Sequence, residues 1–172
     1  MTIKAGEKLP SGAFKTMTAE GPKEVGTDAL FAGKTVVLFS VPGAFTPTCD
    51  ARHLPGYLQH FDALKAKGVD TIACMAVNDM FVMNAWGKNS NVGDKVLMLA
   101  DGNGDYTRAL GLELDARGFG MGMRGQRFAI IVKDPEQEIC FILGVWCLAL
   151  LSFRYRLNDS DQSLLEADFT ET

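Results

Sequence analysis

The residues best placed to do chemistry lie in one segment, residues 41–49, which reads VPGAFTPTC. Thr46 suits a helix N-cap, and Pro47 suits the first helical position, where its missing N–H removes no hydrogen bond. Cys49 is then in the first turn of a helix, whose unpaired N–H groups favour the thiolate, the nucleophilic form of cysteine. The alternative is a small, inert, buried thiol. The turn, the cap and the proline together favour a reactive cysteine.

The elements that must position Cys49 alternate between strands and helices. Residues 35–39 read TVVLF and are bounded by Gly33 and Pro42, a pattern typical of a buried strand followed by a turn. Alternating strands and helices predict an α/β fold, in which helices cover the faces of a central sheet. The predicted strands cover residues 35–39, 71–77, 96–100 and 128–132, after a hairpin over residues 14–26. The first predicted helix is short, capped by Thr27 and Asp28, and ends at Gly33. The other two cover residues 47–67, with a bend at Pro55 and Gly56, and residues 79–86, capped by Asp79.

Length and composition predict a single domain over residues 1–172. The chain has 172 residues, 47% of them hydrophobic, which is enough to bury a core without disulfides or a structural metal. Its 17 Lys and Arg residues and 21 Asp and Glu residues leave a net charge of −4, so the overall charge is not that of a nucleic-acid-binding protein. We therefore expect its partners to be proteins and small molecules.

The four cysteines are Cys49, Cys74, Cys140 and Cys147. None belongs to a CxxC pair, which argues against a disulfide oxidoreductase of the thioredoxin type. A zinc site needs closer ligand spacing, and we expect no metal or bound organic cofactor. Residues 1–10 contain no long apolar stretch, so we expect no secretory signal and a reducing, cytoplasmic setting.

Six segments along the chain carry a further signal: PGAFTPTC at residues 42–49, HLPGY at 53–57, GVDTIAC at 68–74, VNDMFVMNAWGK at 77–88, LADGNGDYTRALGLELD at 99–115 and GMRGQRFAIIV at 122–132. In this order they resemble the peroxiredoxins, in the atypical group that includes the type five and plant type II enzymes. The resemblance covers residues 1 to about 133. It implies a thioredoxin-like fold, with a central mixed sheet flanked by helices and an N-terminal hairpin extension.

The resemblance implies a thiol-dependent peroxidase and assigns roles to four residues. Cys49 is expected to attack one oxygen of hydrogen peroxide or an alkyl hydroperoxide and become a sulfenic acid, while water or an alcohol leaves. Thr46 would place its hydroxyl beside the sulfur. Arg127 would hold the thiolate and the peroxide with a charge that does not titrate. Pro42 would shield the sulfur from solvent and from further oxidation.

Three further residues are expected around the substrate: Arg124, Phe45 and His53. Spacing alone would make either arginine of the late segment a surface charge, so the expectation for Arg124 rests on the resemblance. His53 lies four residues after Cys49, on the same helical face, which raises the alternative of a Cys-His catalytic pair. We favour a packing or hydrogen-bonding histidine, because an ionised sulfur needs no general base.

No cysteine stands out as a resolving partner for the sulfenic acid of Cys49. Cys74 reads as a buried core thiol, although some relatives have a cysteine here that has been considered as a resolving partner, and Cys140 and Cys147 stay open. The resemblance instead implies reduction by an outside thiol, either glutathione with glutaredoxin or thioredoxin.

An apolar stripe at helical spacing contains Met80, Met83 and Trp86. Such a stripe is more typical of a core or an interface than of a cofactor site. In the family, dimers form with the region of Phe45 and this helix near the twofold axis. We therefore expect a homodimer.

Asp50 departs from the family pattern, which usually has a small polar residue directly after the cysteine. Its carboxylate would lie next to the sulfur and oppose formation of a second negative charge there. At a helix N-terminus, the same carboxylate is favourably placed in the field of the helix. We therefore expect slower peroxide reduction than with serine at this position.

The chain departs from the family again in residues 139–172. Residues 139–153, ICFILGVWCLALLSF, contain no charge. They are fewer than the roughly 20 residues of a spanning helix, so a buried strand or core helix is expected rather than a membrane tether, followed by a short closing helix. Beside the peroxidase, one alternative is a redox sensor or partner-binding protein, in which Cys49 turns over little peroxide and this tail provides the docking surface.

Overall fold

Residues 2–4, 6–133 and 138–143 are described by the structure, a computed structural model of the chain. Its strands are β1 (Ala13–Thr18), β2 (Gly21–Gly26), β3 (Thr35–Ser40), β4 (Thr71–Ala76), β5 (Leu97–Ala100), β6 (Glu113–Asp115), β7 (Met123–Gly125), β8 (Phe128–Lys133) and β9 (Glu138–Leu143). Its helices are α1 (Thr27–Phe31), α2 (Leu54–Gln59), α3 (Phe61–Ala66), α4 (Met80–Asn89) and α5 (Asp105–Ala109), with a π-helical turn at Cys49–His53 and a 3₁₀ turn at Arg117–Phe119.

Seven strands form one mixed sheet, in the order β2-β1-β5-β4-β3-β8-β9. The central strands β3, β4 and β5 are parallel, whereas β1 is antiparallel to β5 and β8 is antiparallel to β3. A second sheet, of two short strands, pairs β6 with β7. The predicted α/β fold, a mixed central sheet with helices beside it, is confirmed.

The predicted N-terminal hairpin is formed by β1 and β2. Pairing of β1 with β5 attaches the hairpin to the main sheet. The predicted cap of the next helix is wrong, because Thr27 and Asp28 both lie inside α1 and Gly26 is its N-cap residue. The Thr27 hydroxyl instead accepts a hydrogen bond from Gly12 N–H at 3.1 Å, which ties α1 to the segment before β1.

The apolar run of β3 is buried on both faces of the sheet. Val36 and Leu38 belong to the apolar cluster on one face, and Val37 and Phe39 belong to the cluster on the other. Because successive side chains of a strand point to opposite faces, a continuous apolar run indicates burial on both. Cys49 lies in the cluster of Val37 and Phe39, on the face covered by α2, α3 and α4.

The helix predicted over residues 47–67 is interrupted twice. Its first part contains the π-helical turn Cys49–His53, in which hydrogen bonds span five residues rather than four. Pro55 follows this turn almost directly, and its ring has no N–H to donate and crowds the preceding turn, which explains why the helix widens here. A second break at His60 (φ −102°, ψ 12°) separates α2 from α3. Pro55 and Gly56 lie within α2, and the departures from a regular α-helix lie on either side of it, at Cys49–His53 and at His60.

Asp79 caps α4 as predicted. Its Oδ1 accepts hydrogen bonds from the backbone N–H groups of Phe81 and Val82, both at 2.9 Å. These bonds satisfy two of the donors that a helix start leaves unpaired. The helix continues to Asn89, beyond its predicted end at Trp86.

The apolar run of residues 139–153 begins as a strand. It starts within β9, which is antiparallel to β8 and extends the sheet at that edge. The rest of the run, including Cys147, and the predicted closing helix lie outside the described residues. Within the ranges that the structure describes, no helix is both long and apolar enough to cross a membrane.

Candidate active site

Cys49 is buried, with none of its surface exposed, at the point where the loop after β3 enters the π-helical turn. That loop, residues 41–46, starts against the neighbouring strand, since Val41 N–H donates to Met75 O at 3.2 Å. The parallel pairing of β3 and β4 therefore fixes where the loop leaves the sheet. The cysteine lies beyond the carboxyl ends of two central strands.

Arg127 reaches Cys49 from the other neighbour of β3. Its Nη2 donates a hydrogen bond to Cys49 Sγ at 3.3 Å, although the two residues are 78 positions apart. In the antiparallel pairing of β3 with β8, Ser40 is opposite Phe128, so Arg127, directly before Phe128, lies beside the loop that follows Ser40. The sheet register brings the guanidinium to the sulfur.

His53 is buried beside this pair, with 2% of its surface exposed. Burial, and then the charge of Arg127, lower the pKa of His53 from its ordinary value of 6.5 to about 4. The imidazole is therefore neutral near pH 7. Its Nδ1 and the Nε of Arg127 are buried without a hydrogen-bond partner among the described residues.

Thr46 shapes the loop through its own short turn. Its hydroxyl donates to Gly43 O at 2.8 Å, and its carbonyl accepts from Asp50 N–H at 2.9 Å. Thr46 directly precedes the first helical residue, Pro47, as predicted, and its carbonyl acts as expected at a helix start, whereas capping by its hydroxyl stays a prediction. The placement of this hydroxyl beside the sulfur stays a prediction.

Arg124 lies against Gly43 of the same loop and is held by two backbone carbonyls outside it. Its Nε donates to Met121 O at 2.7 Å and its Nη1 donates to Val77 O at 2.9 Å. A Cβ on Gly43 would lie 3.4 Å from Nη1 and 3.2 Å from Thr46 Cγ2, so the loop passes closely over the guanidinium. The structure therefore gives Arg124 contacts with backbone carbonyls of two loops, and its place around the substrate stays a prediction.

Phe45 and Pro42 belong to the loop that precedes Cys49, and Phe45 is the more exposed of the two. Phe45 is 48% exposed, and its backbone has φ 60°, which is uncommon for a residue other than glycine. Its ring centroid is 6.4 Å from that of Trp86. The neighbouring Ala44 N–H donates to Asn78 Oδ1 at 3.0 Å. Pro42 is partly buried, and its shielding role stays a prediction.

Asp50 makes a contact that the sequence did not indicate. Its Oδ1 accepts a hydrogen bond from Trp86 Nε1 at 2.6 Å. The carboxylate is therefore bonded to α4. The sequence placed Trp86 in a core or an interface, and nothing in the local pattern pairs it with Asp50, which is 36 positions away.

The other cysteines of the described residues form no metal site. Cys74 is fully buried in β4, opposite Phe39 of β3, and neither Cys49 nor Cys74 is part of a disulfide among the described residues. No group of three potential metal ligands occurs in the part of the chain that the structure describes. Cys140 lies in β9.

The arrangement of Cys49 and Arg127 supports attack on an oxidised, electrophilic atom. A guanidinium stays charged at any working pH, so Arg127 presents a permanent positive charge and an N–H donor to the sulfur of Cys49. A thiolate attacks one oxygen of a hydroperoxide, and positively charged donors stabilise the charge that gathers on the other oxygen. Both requirements are met within one contact.

Comparisons with known proteins agree with this chemistry. The Redoxin family model matches residues 4–136. Peroxiredoxin-2C of Oryza sativa subsp. japonica is 49% identical over 141 residues, which cover 81% of this chain and 87% of that protein. Peroxiredoxin-2E, chloroplastic, of Arabidopsis thaliana is 45% identical over 142 residues; the match covers 80% of this chain and 61% of that longer protein.

A solved structure extends the agreement to the fold. Reduced Prx3 from Vibrio vulnificus, in complex with hydrogen peroxide, has a TM-score of 0.80 and 46% sequence identity, with 87% of this chain and 99% of that chain covered. The thioredoxin-like architecture predicted from the resemblance is confirmed. The chain thus belongs to the redoxin family and, within it, to the peroxiredoxins of the type five and plant type II group, which are thiol-dependent peroxidases.

Proposed function

We propose that the protein reduces hydrogen peroxide and alkyl hydroperoxides through Cys49, with Arg127 holding both the thiolate and the peroxide. The observation that carries this proposal is the 3.3 Å hydrogen bond from Arg127 Nη2 to Cys49 Sγ. The unpaired Nε–H of the same guanidinium is available to donate to a bound peroxide oxygen. One side chain would then stabilise the nucleophile and orient the substrate.

The proposed step oxidises the sulfur of Cys49 by two electrons. The thiolate forms an S–O bond with one peroxide oxygen as the O–O bond breaks. The electron pair of that bond leaves on the other oxygen, which takes a proton and departs as water or an alcohol. Because the Thr46 hydroxyl donates to Gly43 O, we give Thr46 the role of shaping the loop beside the peroxide.

We assign the reduction of the Cys49 sulfenic acid to an outside thiol, glutathione with glutaredoxin or thioredoxin. Cys74 is fully buried in a central strand, where a thiol is inert towards exchange. Because the cycle depends on a thiol reductant, which a reducing compartment supplies, we propose the cytoplasm.

The proposal is tested by turnover with each reductant. Purified protein is assayed with hydrogen peroxide and with cumene hydroperoxide, first with glutathione and glutaredoxin and then with thioredoxin and its reductase. We expect turnover with at least one system, lost in Cys49→Ser and retained in Cys74→Ser. Mixed disulfides with partner proteins at Cys49, without turnover in either system, would favour the redox-sensing alternative.

We further propose a homodimer formed through the surface of Phe45 and Phe81. These aromatic side chains are 48% and 63% exposed, one in the loop before Cys49 and the other in the first turn of α4. Exposed aromatic side chains are enriched at protein interfaces. Sedimentation should show a dimer at micromolar concentration and a monomer for Phe81→Glu; a monomeric wild-type protein would remove this proposal.

A further inference from the structure

One hydrogen bond joins the turn that carries Cys49 to a different part of the chain. Trp86 Nε1 donates to Asp50 Oδ1 at 2.6 Å, across 36 positions of sequence. Trp86 is fully buried in α4, whereas Asp50 is partly buried in the π-helical turn. An indole has a single N–H donor, and its acceptor here is a carboxylate, which makes a strong hydrogen bond.

Trp86 contacts the chain on both sides of Cys49. Its ring lies near the ring of Phe45, four residues before the cysteine, and its N–H meets Asp50, one residue after it. The loop backbone at Phe45 has a left-handed φ of 60°. A non-glycine residue keeps such a backbone where its surroundings hold it in place. Trp86 therefore lies against this segment at both of its ends, Phe45 and Asp50.

The contacts of Cys49 and Asp50 anchor their turn to two different elements. This anchoring opposes the slowing effect that the sequence predicts for the charge of Asp50, and that effect stays a prediction. Successive residues of a helical turn point in different directions around its axis. The sulfur of Cys49 meets Arg127, next to β8, and the carboxylate of Asp50 meets Trp86 in α4. A turn held at two points keeps its position more closely than a turn held at one.

We infer that Asp50 is a positioning residue for peroxide reduction, which acts through Trp86 to hold Cys49 at its contact with Arg127. This inference rests on the proposed role of Cys49 as the reacting residue. Removing the acceptor leaves a buried indole N–H unpaired and releases one anchor of the turn. Small displacements of a reacting atom lower rates strongly, because attack needs close and aligned approach.

The test separates the hydrogen bond of Asp50 from its charge. Asp50→Asn keeps an oxygen acceptor and removes the charge, Asp50→Ala removes both, and Trp86→Phe removes the donor while keeping an aromatic ring. Thr16→Val is a matched control, because it deletes another buried hydrogen bond, from the Thr16 hydroxyl to Met98 O at 2.7 Å, away from Cys49. Thermal unfolding of every variant shows that each is folded at the assay temperature.

Two rate constants are measured for each variant. The first is oxidation of Cys49 by hydrogen peroxide, followed by quenching and mass spectrometry, so that no tryptophan signal is needed. The second is alkylation of Cys49 by iodoacetamide, which needs an accessible thiolate but no contact between peroxide and Arg127. A change in position should lower the first rate without lowering the second.

We expect Asp50→Ala and Trp86→Phe each to lower the peroxide rate constant about tenfold, the effect of one hydrogen bond to a charged group. The double variant Asp50→Ala/Trp86→Phe should be no slower than either single variant, because each single change already removes the same hydrogen bond. Asp50→Asn should stay within about threefold of the wild type, and alkylation should be unchanged or faster. Thr16→Val should change neither rate.

Faster peroxide oxidation in both Asp50→Asn and Asp50→Ala would overturn the inference, because the charge would then be the dominant effect. Equal rates for the wild type, Asp50→Ala and Trp86→Phe would overturn it as well. Failure of the proposed function itself looks different: the wild-type protein would then be oxidised no faster than free cysteine, whatever residue is at position 50.

Discussion

The two ends of the central sheet differ in how well their polar groups are paired. At the end where β3 finishes and β8 begins, Ser40 Oγ, His53 Nδ1 and Arg127 Nε are buried without a hydrogen-bond partner among the described residues. Phe45, in the loop at the same end, has a left-handed backbone. Unpaired buried groups and unfavourable backbone cost free energy, and they persist at sites built to bind another molecule.

The opposite end of the sheet contains a groove that does not include Cys49. This groove, of about 950 Å³, lies between α3, α4 and the first residues of β4 and β5. Two charged groups along it are paired: Asp70 Oδ2 accepts from Thr35 N–H at 2.7 Å, and Lys65 Nζ donates to Asp70 O at 3.0 Å. Arg127 Nε and His53 Nδ1, buried without a partner among the described residues, lie beside Cys49, so these atoms rather than this groove mark the site.

The largest effect on peroxide reduction is expected from Arg127→Ala, at the end of the sheet where β3 finishes. Loss of a positioned donor to developing charge lowers rates by about 10²–10³-fold, and here the same change removes the partner of the thiolate. The measurement is the rate of Cys49 oxidation by hydrogen peroxide. Arg127→Lys should recover part of the loss, because it keeps the charge but not the forked geometry. An unchanged rate in Arg127→Ala would show that the buried guanidinium beside Cys49 takes no part in peroxide reduction.

A smaller effect is expected from Arg124→Ala. This change leaves Val77 O and Met121 O without their donor and removes the support beneath Gly43, so we expect about a tenfold slower oxidation together with a lower melting temperature. Arg124→Lys can reach one carbonyl and serves as the control. If the melting temperature falls while the rate is unchanged, Arg124 supports the fold but not the site.

His53 predicts a pH dependence of stability. Its pKa is about 4 in the folded protein against an ordinary 6.5, so between these values the unfolded chain binds a proton that the folded chain does not. Stability should therefore fall as the pH drops from about 6.5 to about 4, by up to about 3 kcal/mol. Urea unfolding at several pH values should show a shallower dependence for His53→Gln. An equal slope in both proteins would show that His53 is not held neutral.

The smallest effect on peroxide reduction is expected from a change in the groove at the opposite end of the sheet. Lys88 is exposed on the rim of the groove, and Lys88→Ala should change the peroxide rate constant by less than about twofold, since surface changes away from a site have little influence. A larger loss of turnover with a protein reductant, at an unchanged rate of Cys49 oxidation, would instead assign the groove a part in recycling.

Local signals in the sequence predicted much of the fold. The Asp79 cap needs only the next three residues, and the run TVVLF needs only its own composition to be read as a strand buried on both faces. The helices and strands too short to show a period, α5, β6 and β7, were not predicted. The wide turn at Cys49–His53 was also missed, because the effect of Pro55 on the preceding turn depends on the packing around it.

The site was predictable where the family motif carries it. Cys49 stood out from its local context, but Arg127 would have been read as a surface charge without the resemblance, because β8 pairs with β3 only in the folded sheet. The bond between Asp50 and Trp86 had no signal at all, since a carboxylate and an indole 36 positions apart form no motif. For Thr46 the sequence indicated a helix cap, whereas the structure shows its hydroxyl donating to a carbonyl of its own loop.

The reduction of peroxide by Cys49, held by Arg127, can be measured directly. Its most direct test is rapid mixing of the reduced protein with one equivalent of hydrogen peroxide, followed by mass spectrometry of quenched samples. We predict one added oxygen on Cys49, at a rate orders of magnitude above that of free cysteine and absent in Cys49→Ser. Oxidation at the rate of free cysteine, or oxygen added mainly to another residue, would contradict the account.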